Sequence, residues 1–240
     1  MNALILAAGY GLRLRRVLKN IPKCLVQVEK NKTILDMWIT KLLSSGIKKI
    51  FINTHYKSLL VKKIISKKYS SNVKILHEEK LLGTSKTILK NKNLISNSDC
   101  IILHVDNFAP NINLKSIINF FYKRPKESHV VLVGFKTDDY KNTGILKINK
   151  FNKLLKVNEK LNFKTGNLAN GAIYILSRQA IKKFKKIKYN NLILDICEKF
   201  HNQIYVYKYN GIYFDIGTIK NYKKLKKFCQ LMLSKLKARK

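Results

Sequence analysis

Several stretches of this chain carry residues whose types and spacing could do chemistry. In LILAAGYGLRL, residues 4–14, a short apolar run meets Gly9 and Gly11 and is followed by Arg13. Glycines after a strand let backbone N–H groups approach an anion closely, and an arginine fork binds phosphate through two donors. Two glycines also make an ordinary turn. The third glycine of a dinucleotide fingerprint is missing here, and no GK[ST] of a P-loop follows. Lys23 comes directly after Pro22, which fixes its own φ and biases Ile21 toward extended backbone, so the lysine leaves a defined bend.

Carboxylates stand out in a chain with 49 Lys and Arg against 13 Asp and Glu. Asp106 ends the apolar run CIILHVDN, and Asp215 sits inside YFDIGT between Phe214 and Ile216. Two carboxylates converging from different strands suit Mg²⁺, which takes one or two of them together with waters and phosphate oxygens. Asp215 could equally cap a helix starting near Thr218 or pair with a core lysine. Glu159 and Lys160 end a strand in VNEK, and Asn170-Gly171 precede the apolar run AIYIL. Glu and Asn suit sugar hydroxyls and Lys suits a phosphate. His77 and His104 lie in strands, with no Ser–His–Asp spacing around them.

The elements that must position these groups follow from periodicity. Apolar runs at 3–7, 48–54, 72–79 and 100–107 read as strands, with helices at 34–45, 59–68 and from Thr84 to Lys90, the first ending before Gly46. Alternation of this kind predicts a parallel sheet covered by helices on both faces, with ligands beyond the C-terminal strand ends. The Gly9–Gly11 turn, Glu78–Glu79 and Asp106 fall at those ends. The second half reads as strands at 129–135, 144–150, 153–160, 171–177, 203–209 and 211–217, with helices near 178–187 and 191–201. The expected fold is α/β: a mixed, mostly parallel, Rossmann-like sheet flanked by helices, with a small β addition in the second half. The tail from Ile219 to Lys240 places Tyr222, Leu225, Phe228, Met232 and Leu236 on one stripe among lysines. Such a helix docks on the body, serves a homo-oligomer contact, or lies on an anionic membrane surface.

Composition bounds the classes. At 240 residues with 46% hydrophobic content the chain is expected to form one domain with a real core. The cysteines at 24, 100, 197 and 229 are scattered, which predicts reduced thiols in a cytoplasmic protein rather than a disulfide framework or zinc site. No apolar run approaches the roughly 18 residues of a membrane span, and a signal peptide is not indicated. The net charge of +36 is nearly all lysine, in a chain also rich in Asn, Ile and Tyr. It attracts polyanions, but the lysines are spread along the chain and no nucleic-acid motif accompanies them.

In order along the chain, LILAAGYGLRL, PKCLV, LLGTSKTI, the strand-end Asp of ILHVDN, VNEK, NGAIYI and FDIGTIKNY resemble the sugar-1-phosphate nucleotidyltransferases, over residues 4 to 222. The small chain and the stretch GNLANGAIYIL look most like the compact manno-type branch, which includes guanylyltransferases acting on mannose- or heptose-1-phosphate for surface polysaccharides. The resemblance implies one nucleotidyltransferase domain, with a nucleotide-binding half over about 1–110, a sugar-binding half over about 111–218 and a terminal helix. It implies that Leu6, Ala7, Ala8, Gly9 and Gly11 bind the nucleotide, GTP, that the Gly9–Arg13 loop wraps its phosphates with Arg13 on the β and γ groups, and that Lys23 neutralises the α-phosphate. It further implies that Glu78, Gly83 and Thr84 lie against base and ribose, and that Asp106 and Asp215 hold Mg²⁺. Gly144, Glu159 and Asn170 would face the sugar and Lys160 its 1-phosphate. Thymidylyl, uridylyl or cytidylyl transfer to another sugar-1-phosphate is the nearest alternative. A basic module binding nucleic acid or an anionic surface is more distant, as is an inactive relative, which the intact Arg13, Lys23, Asp106 and Asp215 argue against. The sequence departs from the family pattern at Leu12, Arg16, Val105 and Leu161.

Overall fold

The computed structural model describes residues 1–19, 21–159, 163 and 165–237. Its elements in chain order are β1 (Asn2–Leu6), β2 (Gln27–Glu29), β3 (Lys32–Thr33), α1 (Ile34–Ser44), β4 (Ile50–Thr54), α2 (Ser58–Tyr69) and β5 (Val73–His77). There follow α3 (Thr84–Lys90), α4 (Lys92–Ile95), β6 (Cys100–His104), β7 (Asn107–Phe108), α5 (Leu114–Tyr122), β8 (Val130–Lys136), β9 (Gly144–Ile148) and β10 (Leu154–Glu159). The chain continues through β11 (Leu168–Leu176), α6 (Arg178–Lys183), α7 (Leu192–Lys199), β12 (Ile204–Tyr209), β13 (Phe214–Asp215) and α8 (Ile219–Lys237).

β6, β1, β4 and β5 lie side by side and parallel. All residues of β1 and β4 are buried, as expected of strands covered on both faces. Successive side chains divide between two cores: Ala3 and Ile5 join Trp38 on one side, Leu4 and Leu6 join Phe51 on the other. Local chemistry sets the helix limits. Thr33 and Asp36 form a capping box at the start of α1. At its end Ile47 N donates to Leu42 O and Gly46 N to Leu43 O, with Gly46 at φ 90°, a conformation that glycine adopts without strain.

The second half is not a separate patch of β structure. β11 pairs antiparallel with β6, β8 and β9, and β8 pairs parallel with β12, so one nine-stranded sheet runs through both halves. The strand expected over 211–217 shrinks to Phe214–Asp215, which pairs with β7 in a sheet of its own. The helices expected near 178–187 and 191–201 are shorter, at Arg178–Lys183 and Leu192–Lys199. α5 is an element the reading above does not single out, although Leu114, Ile117 and Phe121 recur at helical spacing and are buried. α8 docks on the body through Leu225, fully buried, and through Phe228, whose ring meets Phe108 edge-on at 5.4 Å. The Leu236 side chain lies outside the described residues. Among the described residues no helix is long and apolar enough to cross a membrane.

Candidate active site

The C-terminal ends of β1, β4, β5 and β6 open on a cleft of about 240 Å³ lined by Leu6, Ala7, Ala8, Gly9, Lys23 and Asp106 from one side and by Leu81, Gly83, Thr84 and Thr87 from the other. Gly9 is exposed, and a Cβ placed there would meet nothing within 4 Å. Gly11 adopts φ 64° and starts a single 3-10 turn, Leu12–Leu14, anchored by fully buried Leu14. Arg13 is thereby exposed on the outer face of the turn, and Leu12, 66% exposed, points away from the core.

Lys23 begins a second 3-10 turn, with Pro22 in extended geometry before it. Its Nζ donates to Asp106 Oδ2 at 2.8 Å, and the two side chains are 17% and 25% exposed. That partner separates Lys23 from the many solvated lysines. Burial raises the Asp106 carboxyl, but Lys23 and His104 outweigh it and hold the group below the usual carboxylate range. Asp215 reaches the same place by a different route. β13 pairs with β7 so that Asp215 opposes Asn107, and Ile216 N donates to Asp106 O at 2.8 Å. Burial, reinforced by Asp106, pushes the Asp215 carboxyl up, against the pull of the Gly217 N–H, Lys23 and Arg13. A Cβ on Gly217 would lie 2.5 Å from Asp215 Oδ1 and 2.9 Å from Arg13 Nη2, so only glycine lets these two side chains share the space.

Beneath the loop, Asn53 Oδ1 accepts the Ala7 N–H at 2.7 Å while its Nδ2 donates to Glu78 Oε1 at 2.9 Å. Glu78 also accepts Thr87 Oγ1 at 2.5 Å and Leu82 N at 3.2 Å. With 1% exposure and these partners, the Glu78 side chain is a strut under the cleft. Gly83 and Thr84 do line the cleft. Asn53 and Thr87 were not expected there. The one signal for Asn53 is a lone amide in the apolar run IFINT.

The sugar-facing candidates gather on the neighbouring strands. Gly144 stands directly opposite Glu159 in the β9–β10 ladder, and a Cβ on Gly144 would collide with the Glu159 carboxylate. Asn170 donates to Tyr174 OH at 2.8 Å and accepts Ala172 N at 3.0 Å, at an irregularity in β11 where Ala172 takes φ 46°. The Gly171 carbonyl accepts Asn107 Nδ2 at 3.1 Å and the Tyr213 hydroxyl, so this wall is fastened to the β7–β13 ladder that carries the aspartates. Lys160 and Leu161 lie outside the described residues. His104 lines the cleft with Nε2 buried and without a hydrogen-bond partner, and burial lowers its pKa. A larger cavity, about 640 Å³, lies between α1, the 108–115 segment and α8, away from all these groups.

Among the described residues no group of three or more His, Cys, Asp and Glu is arranged to hold a metal. Asp106 and Asp215 offer two hard oxygen donors that repel one another, which fits a divalent cation completed by waters and phosphate oxygens.

The chain is similar to known proteins over almost its whole length. The chain is 24% identical to the D-glycero-alpha-D-manno-heptose 1-phosphate guanylyltransferase of Campylobacter jejuni, over 92% of this chain and 97% of that one. It is also 24% identical to a glucose-1-phosphate adenylyltransferase of Mycoplasma mobile, covering 92% of this chain but spanning only 65% of that relative's length. Among solved structures, HddC from Yersinia pseudotuberculosis complexed with GMP-PN superposes with a TM-score of 0.74 at 25% identity, over 95% of this chain and 99% of that one. The nucleotidyl transferase sequence profile matches residues 2–230, from the first strand through most of the terminal helix, and the chain belongs to that family.

Proposed function

We propose that this protein transfers a guanylyl group from GTP to a manno-configured sugar-1-phosphate, mannose- or manno-heptose-1-phosphate, giving a GDP-sugar and pyrophosphate. The observation that carries the reading is the convergence of Arg13, Lys23, Asp106 and Asp215 beside a cleft lined by Gly9 on one side and Gly83 and Thr84 on the other. The guanylyltransferase relative at 24% identity supports the choice of base and sugar. The product would supply surface-polysaccharide synthesis in the cytoplasm.

The reacting partners are both anions, so the work lies in holding them in line and offsetting their repulsion. A sugar-1-phosphate oxygen attacks the α-phosphorus, the bond to the β-phosphate oxygen breaks, and pyrophosphate leaves with the electron pair. The nucleophile is already ionised, and no base is required. The Gly9–Gly11 backbone and Arg13 hold the β- and γ-phosphates. Lys23 exchanges Asp106 for the α-phosphate and offsets the charge that builds on it. Mg²⁺ held by Asp106 and Asp215 would screen the phosphate oxygens and orient the leaving group. Glu159 and Asn170 bind sugar hydroxyls, and Lys160 the 1-phosphate.

Pyrophosphate release from each nucleoside triphosphate against a panel of sugar-1-phosphates, with Mg²⁺, tests the reading. GTP with a manno-configured partner should turn over fastest. A faster reaction with another triphosphate would reassign the base. Silence across the panel together with tight, salt-sensitive nucleic-acid binding would replace the enzyme by a polyanion-binding module.

A further inference from the structure

The segment carrying Gly83 and Thr84 is held by Glu78 from its own half of the chain and by a second set of contacts from the other half. α3 begins after Gly83, which has no side chain to cap it. The cap comes instead from Asn190, 104 residues away, whose Oδ1 accepts the Lys86 N–H at 3.2 Å. The same amide donates through Nδ2 to Leu82 O at 2.8 Å, and Leu192 N donates to Thr84 Oγ1 at 3.0 Å. Gly83, at φ 87°, leaves room for this approach: a Cβ there would stand 2.5 Å from Asn190 Nδ2. Asn190 is itself left-handed at φ 51°.

That conformation is fixed by Asp195 in the first turn of α7. Its carboxylate, in a residue 3% exposed, accepts the N–H groups of Lys188, Tyr189 and Asn191 at 2.8, 2.9 and 3.1 Å, and Ser85 Oγ at 2.7 Å. One buried anion thus folds the 188–191 loop and ties it to α3. A buried carboxylate with this many donors is strongly held.

We propose that Asn190 and Asp195 form a positioning clamp that sets residues 82–87 against the nucleotide, so that nucleotide affinity is controlled from the sugar-binding half of the chain. The proposal rests on the transferase reading for the identity of the ligand, and on geometry alone for the clamp. Neither residue touches the reacting phosphates. Loss of the clamp acts on nucleotide KM rather than on kcat.

The test uses the full chain and two readouts. Hydrogen exchange, without substrate, should show Asn190→Ala exchanging the 82–87 amides about tenfold faster than wild type, with β1, β4 and β6 unchanged. In turnover with GTP and mannose-1-phosphate, the same variant should raise KM for GTP about tenfold, leaving KM for the sugar phosphate and kcat within about threefold. Asn190→Asp, which keeps the cap acceptor and loses the donor to Leu82, should fall between. Ser85→Ala gives the second reading if Asn190→Ala does not fold. Wild-type exchange in both variants, or losses shared equally by kcat and both KM values, overturns the clamp. A wild-type protein with no turnover removes its role in nucleotide binding even when exchange has responded. The two failures are thus read separately.

Discussion

Lys23 Nζ lies 2.8 Å from Asp106 Oδ2 although the two residues are 83 positions apart in the chain. The pair joins the bend after Pro22 to the end of β6, and it places a cation beside an anion in the cleft. A lysine held in this way can exchange its carboxylate for a phosphate with little reorganisation.

Replacing Lys23 by Met should lower kcat by roughly 10²–10³, the usual effect of deleting one donor to developing charge, with KM for the sugar phosphate little changed. Lys23→Arg should not restore the rate, because the fork carries its charge in a different geometry. Single-turnover pyrophosphate release and circular dichroism separate lost chemistry from lost fold.

Asp106→Asn and Asp215→Asn should both abolish turnover but move the stability of the metal-free protein in opposite directions. Asp106 is held below its ordinary range by Lys23, so its ionised form stabilises the fold at neutral pH. Removing that charge should cost about 1–3 kcal/mol, at about 2–4 °C in Tm per kcal/mol. Asp215 is pushed up by burial and by Asp106, so its ionisation at neutral pH works against the fold, and Asp215→Asn should raise Tm. Thermal unfolding in EDTA reads both signs.

Gly144→Ala should raise KM for the sugar phosphate by roughly tenfold, because the added methyl displaces the Glu159 carboxylate; KM for GTP should hold within about twofold. Kinetics with each substrate varied in turn checks the split.

Acid should loosen the α1 edge. Burial raises the Asp36 carboxyl, but Thr33, Tyr69 and Lys68 outweigh it and leave it below its ordinary value. A group depressed in the folded state contributes stability above its unfolded pKa of about 3.9 and loses it as pH falls through the folded value. Asp36→Asn should therefore cost about 1 kcal/mol at neutral pH and flatten the fall in Tm below about pH 4.

The charged members of the candidate site could be singled out before the fold because they have unusual settings. Asp106 and Asp215 are carboxylates in apolar runs, and Lys23 follows a proline. The parallel half was legible for the same reason, since β1 and β4 are continuous apolar runs. What escaped depends on close approach rather than residue type. Gly217 matters because Arg13 and Asp215 crowd it, and Glu78 turns inward because Asn53 and Thr87 meet it there. Asn190 and Asp195 act across about half the chain on α3, and no local pattern reports such a contact.

The most direct test follows the α-phosphorus itself. With GTP labelled at the α-phosphate, mannose-1-phosphate or manno-heptose-1-phosphate, and Mg²⁺, the label should pass into a GDP-sugar while unlabelled pyrophosphate appears in equal amount. Asp106→Asn and Lys23→Met should remove both products together. Label that stays in GTP, or appears as GMP or GDP without a sugar attached, would contradict nucleotidyl transfer at this site.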